Sequence, residues 1–247
     1  MDATGTLGAL FDEAAQPPPD AGELAFYQAH VPRDRGNVLA APCGAGRLLV
    51  PLLEAGYAMH GIDASAALLD TCAARVRVAG REATLVRQAL DEINLPFRFA
   101  AAIVSGGAFQ RLTDPVAARA ALARLRAHLV APGVLVLELT VPSEGTQRLG
   151  APLVELRTAQ LADGSRIALR SETTMYAEER IARARHRYVH RRGAEHLAEE
   201  EAAWSTTWYP PEELRELVAE AGFASVAIGA PPRAPVDGEA YSLIARM

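Results

Sequence analysis

Gly44 and Gly46, two residues apart in the run Ala41-Pro42-Cys43-Gly44-Ala45-Gly46, are the residues of this chain whose chemistry is most readily read. Neither carries a Cβ, so the backbone there can come close to a ligand. An apolar run from Val38 to Ala41 leads into this turn, and Leu48, Leu49, Leu52 and Leu53 follow it at helical spacing as far as Gly56. A second apolar run then stops on Asp63, 19 residues after Gly44. A helix that starts at such a turn offers unpaired N–H groups to a polar or negative ligand. An acid at the end of the second strand, about 20 residues on, is placed to accept from ribose hydroxyls. The chemistry expected is therefore the binding of a nucleoside-bearing cofactor at the edge of a doubly wound sheet. The third place of the G-x-G-x-x-G pattern, which dinucleotide folds fill with Gly or Ala, is Leu49. That weakens a nicotinamide reading.

These residues need an alternating β/α frame to hold them. Strands are expected near 38–42, 58–63, 83–88, 99–105 and 133–140, with helices near 46–55, 65–79 and 115–130. Asp114-Pro115 starts the last helix with an acidic cap and a proline at its first position. Such alternation demands a parallel sheet with right-handed crossovers. After Pro142 the pattern changes to four β-rich segments at 152–160, 166–176, 180–190 and 200–209, with a strong hairpin turn at Asp163-Gly164. A capped helix over 210–222 and strands at 223–229 and 240–246 close the chain. The fold class is thus α/β: a doubly wound, seven-stranded, mostly parallel sheet with an inserted antiparallel β-sheet. Three parts follow: an N-terminal helical cap over 1–32, a cofactor-binding core over 33–142 plus 210–247, and the insert over 143–209.

Composition narrows the function classes. At 247 residues, half of them apolar, the chain can bury a large core. Its net charge of −5 argues against general nucleic-acid binding. All 25 basic residues are arginines. Cys43 and Cys72 are the only cysteines, which gives neither a disulfide framework nor zinc-finger spacing. No apolar run reaches the ~18 residues of a membrane span, and the N-terminal residues lack the basic and apolar regions of a signal peptide. A cytoplasmic protein is expected. No acidic cluster at the ends of the fourth and fifth strands suggests a metal, and Glu138 stands alone in its strand.

Further candidates flank the turn. Cys43 reads as a small packing residue rather than a nucleophile, since no base adjoins it in sequence. Ser105-Gly106-Gly107 ends the fourth strand. In the segment 180–190, Ala182, Ala184, His186, Tyr188 and His190 share one face, and Arg183, Arg185, Arg187 and Arg191 the other. The His/Tyr face is the best source of a general base, and His186 with Tyr188 is the pair favoured. His186 and His190 stand about 13 Å apart at ~3.3 Å per residue, too far to act as a dyad. Trp204 and Trp208 share a face suited to stacking on a flat ligand, or to packing.

The turn and its strands resemble motif I of the class I S-adenosylmethionine-dependent methyltransferases. The segments 96–137 and 208–223 resemble the same family, most closely its small-molecule branch, in which an antiparallel insert covers the acceptor pocket. The resemblance spans about residues 24–246. It implies S-adenosylmethionine as cofactor, held by Tyr27, Ala41, Pro42, Cys43, Gly44, Gly46, Asp63, Ala64, Gln88, Ala89, Leu90 and Ser105. It places Phe109, Arg111, Trp204 and Trp208 at the acceptor pocket, with Arg111 standing where the family's A-F-Q-H-L has histidine. Four departures stand out. The motif I acid is Ala40, and the motif's middle glycine is Pro42. The acid after the third strand is Ala89, or Gln88 with a one-residue slip. The usual Phe-Asp of the fourth strand is Phe99-Ala100. Each lost charged hydrogen bond costs roughly 1.5–3 kcal/mol, so weaker cofactor binding is expected.

The function this implies is methyl transfer to N or O of a small-molecule acceptor, a secondary-metabolite intermediate, by in-line displacement. No metal is called for, no nucleic acid or membrane is expected as partner, and a homodimer is compatible with the reading. One alternative is a methyltransferase fold that has lost methyl transfer and catalyses a cyclisation or elimination. A nicotinamide-dependent oxidoreductase or a pure binding protein is the other.

Overall fold

The computed structural model describes residues 5–235 and 237–247, so the first four residues of the expected cap lie outside the described residues. Helices α1 (Thr6–Ala15) and α2 (Ala21–His30) lead in. Then come β1 (Val38–Ala40), α3 (Leu49–Glu54), β2 (Met59–Asp63), α4 (Ala66–Val78), β3 (Thr84–Arg87), β4 (Phe99–Val104), α5 (Pro115–Ala127) and β5 (Leu129–Val141). The insert holds the short α6 (Glu144–Gln147) and strands β6 (Leu153–Gln160), β7 (Arg166–Tyr176), β8 (Ile181–Arg192) and β9 (Glu195–Thr207). The chain returns through α7 (Pro211–Glu220), β10 (Ser225–Gly229) and β11 (Glu239–Arg246).

Seven strands form one sheet in the order β10-β11-β5-β4-β1-β2-β3. Its strands run parallel except β11, which lies antiparallel between β5 and β10. β1 sits centrally, with Ala40 beside Gly61 of β2 and Ile103 of β4. Alternation sends its two faces to two cores. Leu39, Ile62, Ala102, Leu135 and Leu137 pack with Leu122 and Leu125 of α5 and Leu214 of α7. Val38, Ala40, Ala101, Ile103 and Val136 pack with Tyr27 of α2, Leu52 of α3 and Cys72 of α4. Side-chain caps fix the helix starts: Asp20, Ser65 and Asp114 accept from Glu23, Leu68 and Val116 N–H.

β6-β7-β8-β9 form a separate antiparallel sheet. Its inner face presents Ala159, Ile167, Leu169 and Tyr188 to Leu7 and Phe11 of α1. Glu200 of β9 accepts from Leu7 N (2.9 Å) and Gly8 N (3.1 Å), two of the open donors at the start of α1. Gln110, 5% exposed, ties the two sheets together. Its Nε2 donates to Thr140 O of β5 and Thr207 O of β9, both at 2.8 Å, while its Oε1 accepts from Thr140 N at 2.9 Å.

Three boundaries differ from expectation. α3 begins at Leu49, because 44–48 form turns instead of helix. β5 begins at Leu129, pairing with Phe99 before a bulge. β9 begins at Glu195, in a run of exposed and half-buried acids held by pairing to β8 rather than by apolar alternation. Among the described residues no helix is long and apolar enough to cross a membrane, and no group of three or more His, Cys, Asp or Glu could hold a metal ion.

Candidate active site

The turn after β1 is fixed by main-chain bonds. Cys43 N donates to Ile62 O at 2.7 Å, and Gly46 N to Cys43 O at 3.0 Å. Gly44 has φ +55°, and a Cβ built there meets nothing within 4 Å, so this position opens onto space. Gly46 serves a different purpose: a Cβ there would lie 2.8 Å from Cys72 Sγ, so its hydrogen lets α4 pack against the turn.

Asp63, 6% exposed, bridges the turn and the next helix. One carboxylate oxygen accepts from Gly44 N at 3.0 Å and the other from Ser65 N at 2.8 Å. Burial raises its pKa, and these bonds oppose the rise. The Ala64 main chain also bonds the carboxylate, which keeps lone-pair capacity for a hydroxyl beyond these three donors. The Gly44 N–H, in contrast, is already committed.

A cavity of about 180 Å³ lies against the turn. Ala40, Pro42, Cys43, Gly44, Ala45, Arg47 and Leu48 line it, together with Arg75, Ser105, Gly106 and Arg233, Asp12 and Glu13 of α1, and Gln16 just after α1. Of the residues expected at the cofactor, Pro42, Cys43, Gly44 and Ser105 line this space. Tyr27 is fully buried beside Ala40 and Leu48, and its hydroxyl has no hydrogen-bond partner among the described residues. Ala41 is fully buried, and Leu90 packs in the core. The Ala64 carbonyl accepts from Arg87 Nε at 3.1 Å, and Ala89 caps the 3-10 turn over Leu90–Glu92. Gln88 pairs its side-chain amide with Asn94 N and O, both at 3.0 Å, so it closes a loop and keeps one N–H and one carbonyl lone pair beyond these bonds.

The residues expected at the acceptor lie apart from this cavity, on and beside the insert, where Arg111 and Trp204 line a second one. His186 packs tilted against Trp204, ring centroids 3.9 Å apart, and the Trp204 ring also has the Arg111 guanidinium 5.0 Å from its centroid. His186 Nε2 lies 3.1 Å from Ser171 Oγ and Nδ1 lies 3.2 Å from Tyr188 Oη. Burial, reinforced by Arg111 and Arg157, pushes the His186 pKa down to about 4, and burial pushes Tyr188 up. Both imidazole nitrogens thus have internal partners, and the ring is neutral at pH 7. Phe109 is fully buried and packs on Tyr209 at 5.8 Å, a core contact and not a pocket wall. Trp208 lies one residue beyond β9 and is 4% exposed.

Sequence reasoning passed over two carboxylates. Glu23 of α2, 2% exposed, forms a two-pronged pair with Arg47, one arm at 3.0 Å. Glu138 of β5 accepts from Gly106 N at 3.1 Å with one oxygen; the other is buried and has no partner among the described residues. Burial, with Glu23 nearby, pushes Glu138 up to about 7. The signal was present in sequence: a single acid interrupts an otherwise apolar strand near its C-terminal end, where ligands of doubly wound sheets bind.

Residues 38–133 match the family model described as a methyltransferase domain. The solved structure of an S-adenosylmethionine-dependent methyltransferase from Clostridium acetobutylicum superposes with a TM-score of 0.77 at 12% identity, covering 96% of each chain. The methyltransferase CcbJ from Streptomyces caelestis gives 0.74 at 20% identity over 99% of each chain. The sugar N-methyltransferase KedS8 from a Streptoalloteichus species gives 0.77 at 19% identity, over 100% of this chain and 94% of that one. No curated protein sequence matches significantly. Residues 38–133 thus match a methyltransferase domain, and the chain has the fold of the class I S-adenosylmethionine-dependent methyltransferases along its length. A methyltransferase domain takes S-adenosylmethionine as its methyl donor, which speaks against the nicotinamide reading. The open Gly44 cradle, the spare lone pairs of Asp63 and the unpartnered Tyr27 hydroxyl fit a nucleoside bearing an amino-acid tail.

Proposed function

We propose that this protein methylates nitrogen in preference to oxygen on a small, sugar-like acceptor from secondary metabolism. One observation carries the reading: Glu138 lies one hydrogen bond behind Gly106, which lines the cavity, and its second oxygen is buried with no partner among the described residues. Such a carboxylate suits a cationic amine better than a neutral hydroxyl, while the charged residues of the cavity wall, Asp12 and Glu13 with Arg47, Arg75 and Arg233, are of both signs. The structures named for a sugar N-methyltransferase and an amino pentose methyltransferase, the latter at 23% identity and a TM-score of 0.68, are in keeping with it.

When bound, S-adenosylmethionine supplies an electrophilic methyl group. The chain's residues bind, align and dry the site. Asp63 would accept from the ribose hydroxyls, while the Gly44 cradle lets the backbone approach. Pro42, Cys43 and Ser105 would flank the sulfonium end, with Ala41, Gly46, Ala64 and Leu90 as the packed frame behind. From above, Arg111, His186, Tyr188 and Trp204 would bound the acceptor, and α1 would close the cavity against water. Alignment and water exclusion supply most of the rate in a displacement of this kind.

Calorimetry with S-adenosylhomocysteine, followed by label transfer from methyl-labelled donor to amino sugars and their hydroxyl counterparts, tests the proposal. Binding with labelling of amines is expected. Binding with labelling of hydroxyl acceptors alone overturns the nitrogen assignment, and binding without any transfer returns the non-methylating alternative.

A further inference from the structure

We propose that Glu138 is the carboxylate that holds the acceptor's ammonium group and takes its proton before methyl transfer. The inference rests on the nitrogen-methylation reading above. Three geometric facts carry it. Glu138 emerges near the C-terminal end of β5 and bonds Gly106 N at 3.1 Å, at the end of the adjacent strand β4. Gly106 itself lines the cavity, has φ +62° and has nothing within 4 Å of where a Cβ would be, so the space in front of it is open. The second Glu138 oxygen is buried with no partner among the described residues, and burying an acceptor in that state is costly unless a donor arrives.

The charged groups around it are of both signs, and Arg75 of α4, held by Ala45 O, lines the same cavity. Glu23 faces it from α2, but Arg47 engages both of that residue's oxygens. Arg233 faces it from the loop before β11 and offsets part of its charge. Asp12 and Glu13 stand across the cavity on α1. An ordinary carboxylate, near 4.3, takes a proton from an amine poorly at neutral pH. Burial lifts Glu138 to about 7, which narrows the gap.

The step balances. The acceptor enters as R–NH3⁺; one N–H bond breaks and its proton passes to Glu138, leaving a neutral amine with its lone pair. That pair forms the N–C bond to the methyl carbon as the C–S bond breaks. The C–S electrons stay on sulfur, and the positive charge leaves on the N-methylammonium product.

The test uses the full chain and Glu138→Gln, which keeps an acceptor for Gly106 N. First, calorimetry with S-adenosylhomocysteine should give both proteins dissociation constants within threefold. If wild type does not bind it, the methyl-transfer reading itself fails. Second, D-glucosamine and a panel of other amino sugars are titrated into each S-adenosylhomocysteine complex at pH 7.5. At least one amine should bind wild type tenfold or more tighter than the variant. Equal binding across the panel, including none by either protein, overturns the proposal. A tenfold loss of S-adenosylhomocysteine affinity in the variant also overturns it, because Glu138 would then serve the cofactor's own amino group in place of the acid absent at Ala40. Third, with any amine that is turned over, kcat/KM should fall about 100-fold in the variant, and the wild-type inflection near pH 7 should vanish. A variant within threefold of wild type overturns the role.

Discussion

The central seven-stranded sheet and the four-stranded insert carry their chemistry in opposite ways. In the sheet, the proposed cofactor side is made of backbone: a turn at Gly44, N–H groups fastened to Asp63, and small residues at the strand ends. In the insert, the proposed acceptor side is made of side chains: His186 tilted against Trp204, the Arg111 cation on the same ring, and Tyr188 behind. The outer face of the insert is an Arg/Glu surface, as in the Arg187–Glu199 pair, with its arms at 2.6 and 3.0 Å. Such exposed pairs contribute little to stability. A backbone-built site tolerates few sequences and reads as a motif. A side-chain-built site can change residue by residue on the same frame, so it leaves no spacing to read.

The largest effect that would break this contrast is at Gly44. Gly44→Val forces a β-branched residue to φ +55°, at a cost of about 1–3 kcal/mol. The new side chain meets no protein atom at its Cβ and so fills the cradle. The expected result is a cooperative melt at lower temperature with no calorimetric heat on adding S-adenosylhomocysteine. Normal binding by this variant would place the cofactor away from the turn.

That asymmetry also sets how much was legible. Gly44, Gly46, Asp63 and the β/α alternation appear in sequence because backbone geometry dictates residue type there. The meander was legible too, since β8 places His186 and Tyr188 inward and Arg183, Arg185 and Arg187 outward, as alternation requires. The Glu23–Arg47 pair and the bolt at Gln110 join strands and helices far apart in sequence, and no local spacing announces such contacts; at Glu138 the lone acid in an apolar strand is visible in sequence, but its bond to Gly106 is not. The start of β9 escaped for another reason: Glu195–Glu201 is polar on both faces and is a strand only because β8 pairs with it.

Gln110 offers the next test, because it joins the two regions. Gln110→Ala strips bonds from Thr140 N, Thr140 O and Thr207 O. A loss of about 2 kcal/mol in stability is expected, since Thr140 is exposed enough for water to replace part of what is lost. The insert should then sit less firmly, raising the acceptor KM severalfold while S-adenosylhomocysteine affinity changes less than threefold. Equal losses at both ends would mean that the cofactor side also depends on the insert.

His186 sharpens the comparison from the insert's side. Its folded pKa of about 4 lies below the ordinary value of 6.5, so the unfolded chain binds more protons between those two pH values. Stability should therefore fall as pH drops from about 6.5 towards 4, with no contribution from this group above 6.5. Denaturant melts of His186→Gln should show a shallower fall across that window. An unchanged slope would mean that the imidazole is not buried neutral beneath the insert.

The smallest expected effect is at Ala40, where the backbone-built side lacks an acid. Ala40 is 4% exposed, lines the cavity and sits beside Gly61 and Ile103, so an Asp there enters a largely dry place. With no ligand, Ala40→Asp should lower the melting temperature, because a buried carboxylate without a partner is costly. With S-adenosylhomocysteine, the new carboxylate can accept from the ligand's amino group in a charge-assisted bond. Affinity should tighten by a few fold, and the ligand-induced rise in melting temperature should exceed that of wild type. Glu23 tempers the gain, since its buried negative charge lies on the same side of the sheet, although Arg47 covers it. Weaker binding by Ala40→Asp would show that the amino-acid end of the cofactor does not reach β1. That end would then lie towards other lining residues of the cavity, such as Ser105, Arg75, Arg233 and the acids of α1, and the cofactor side would depend on side chains after all.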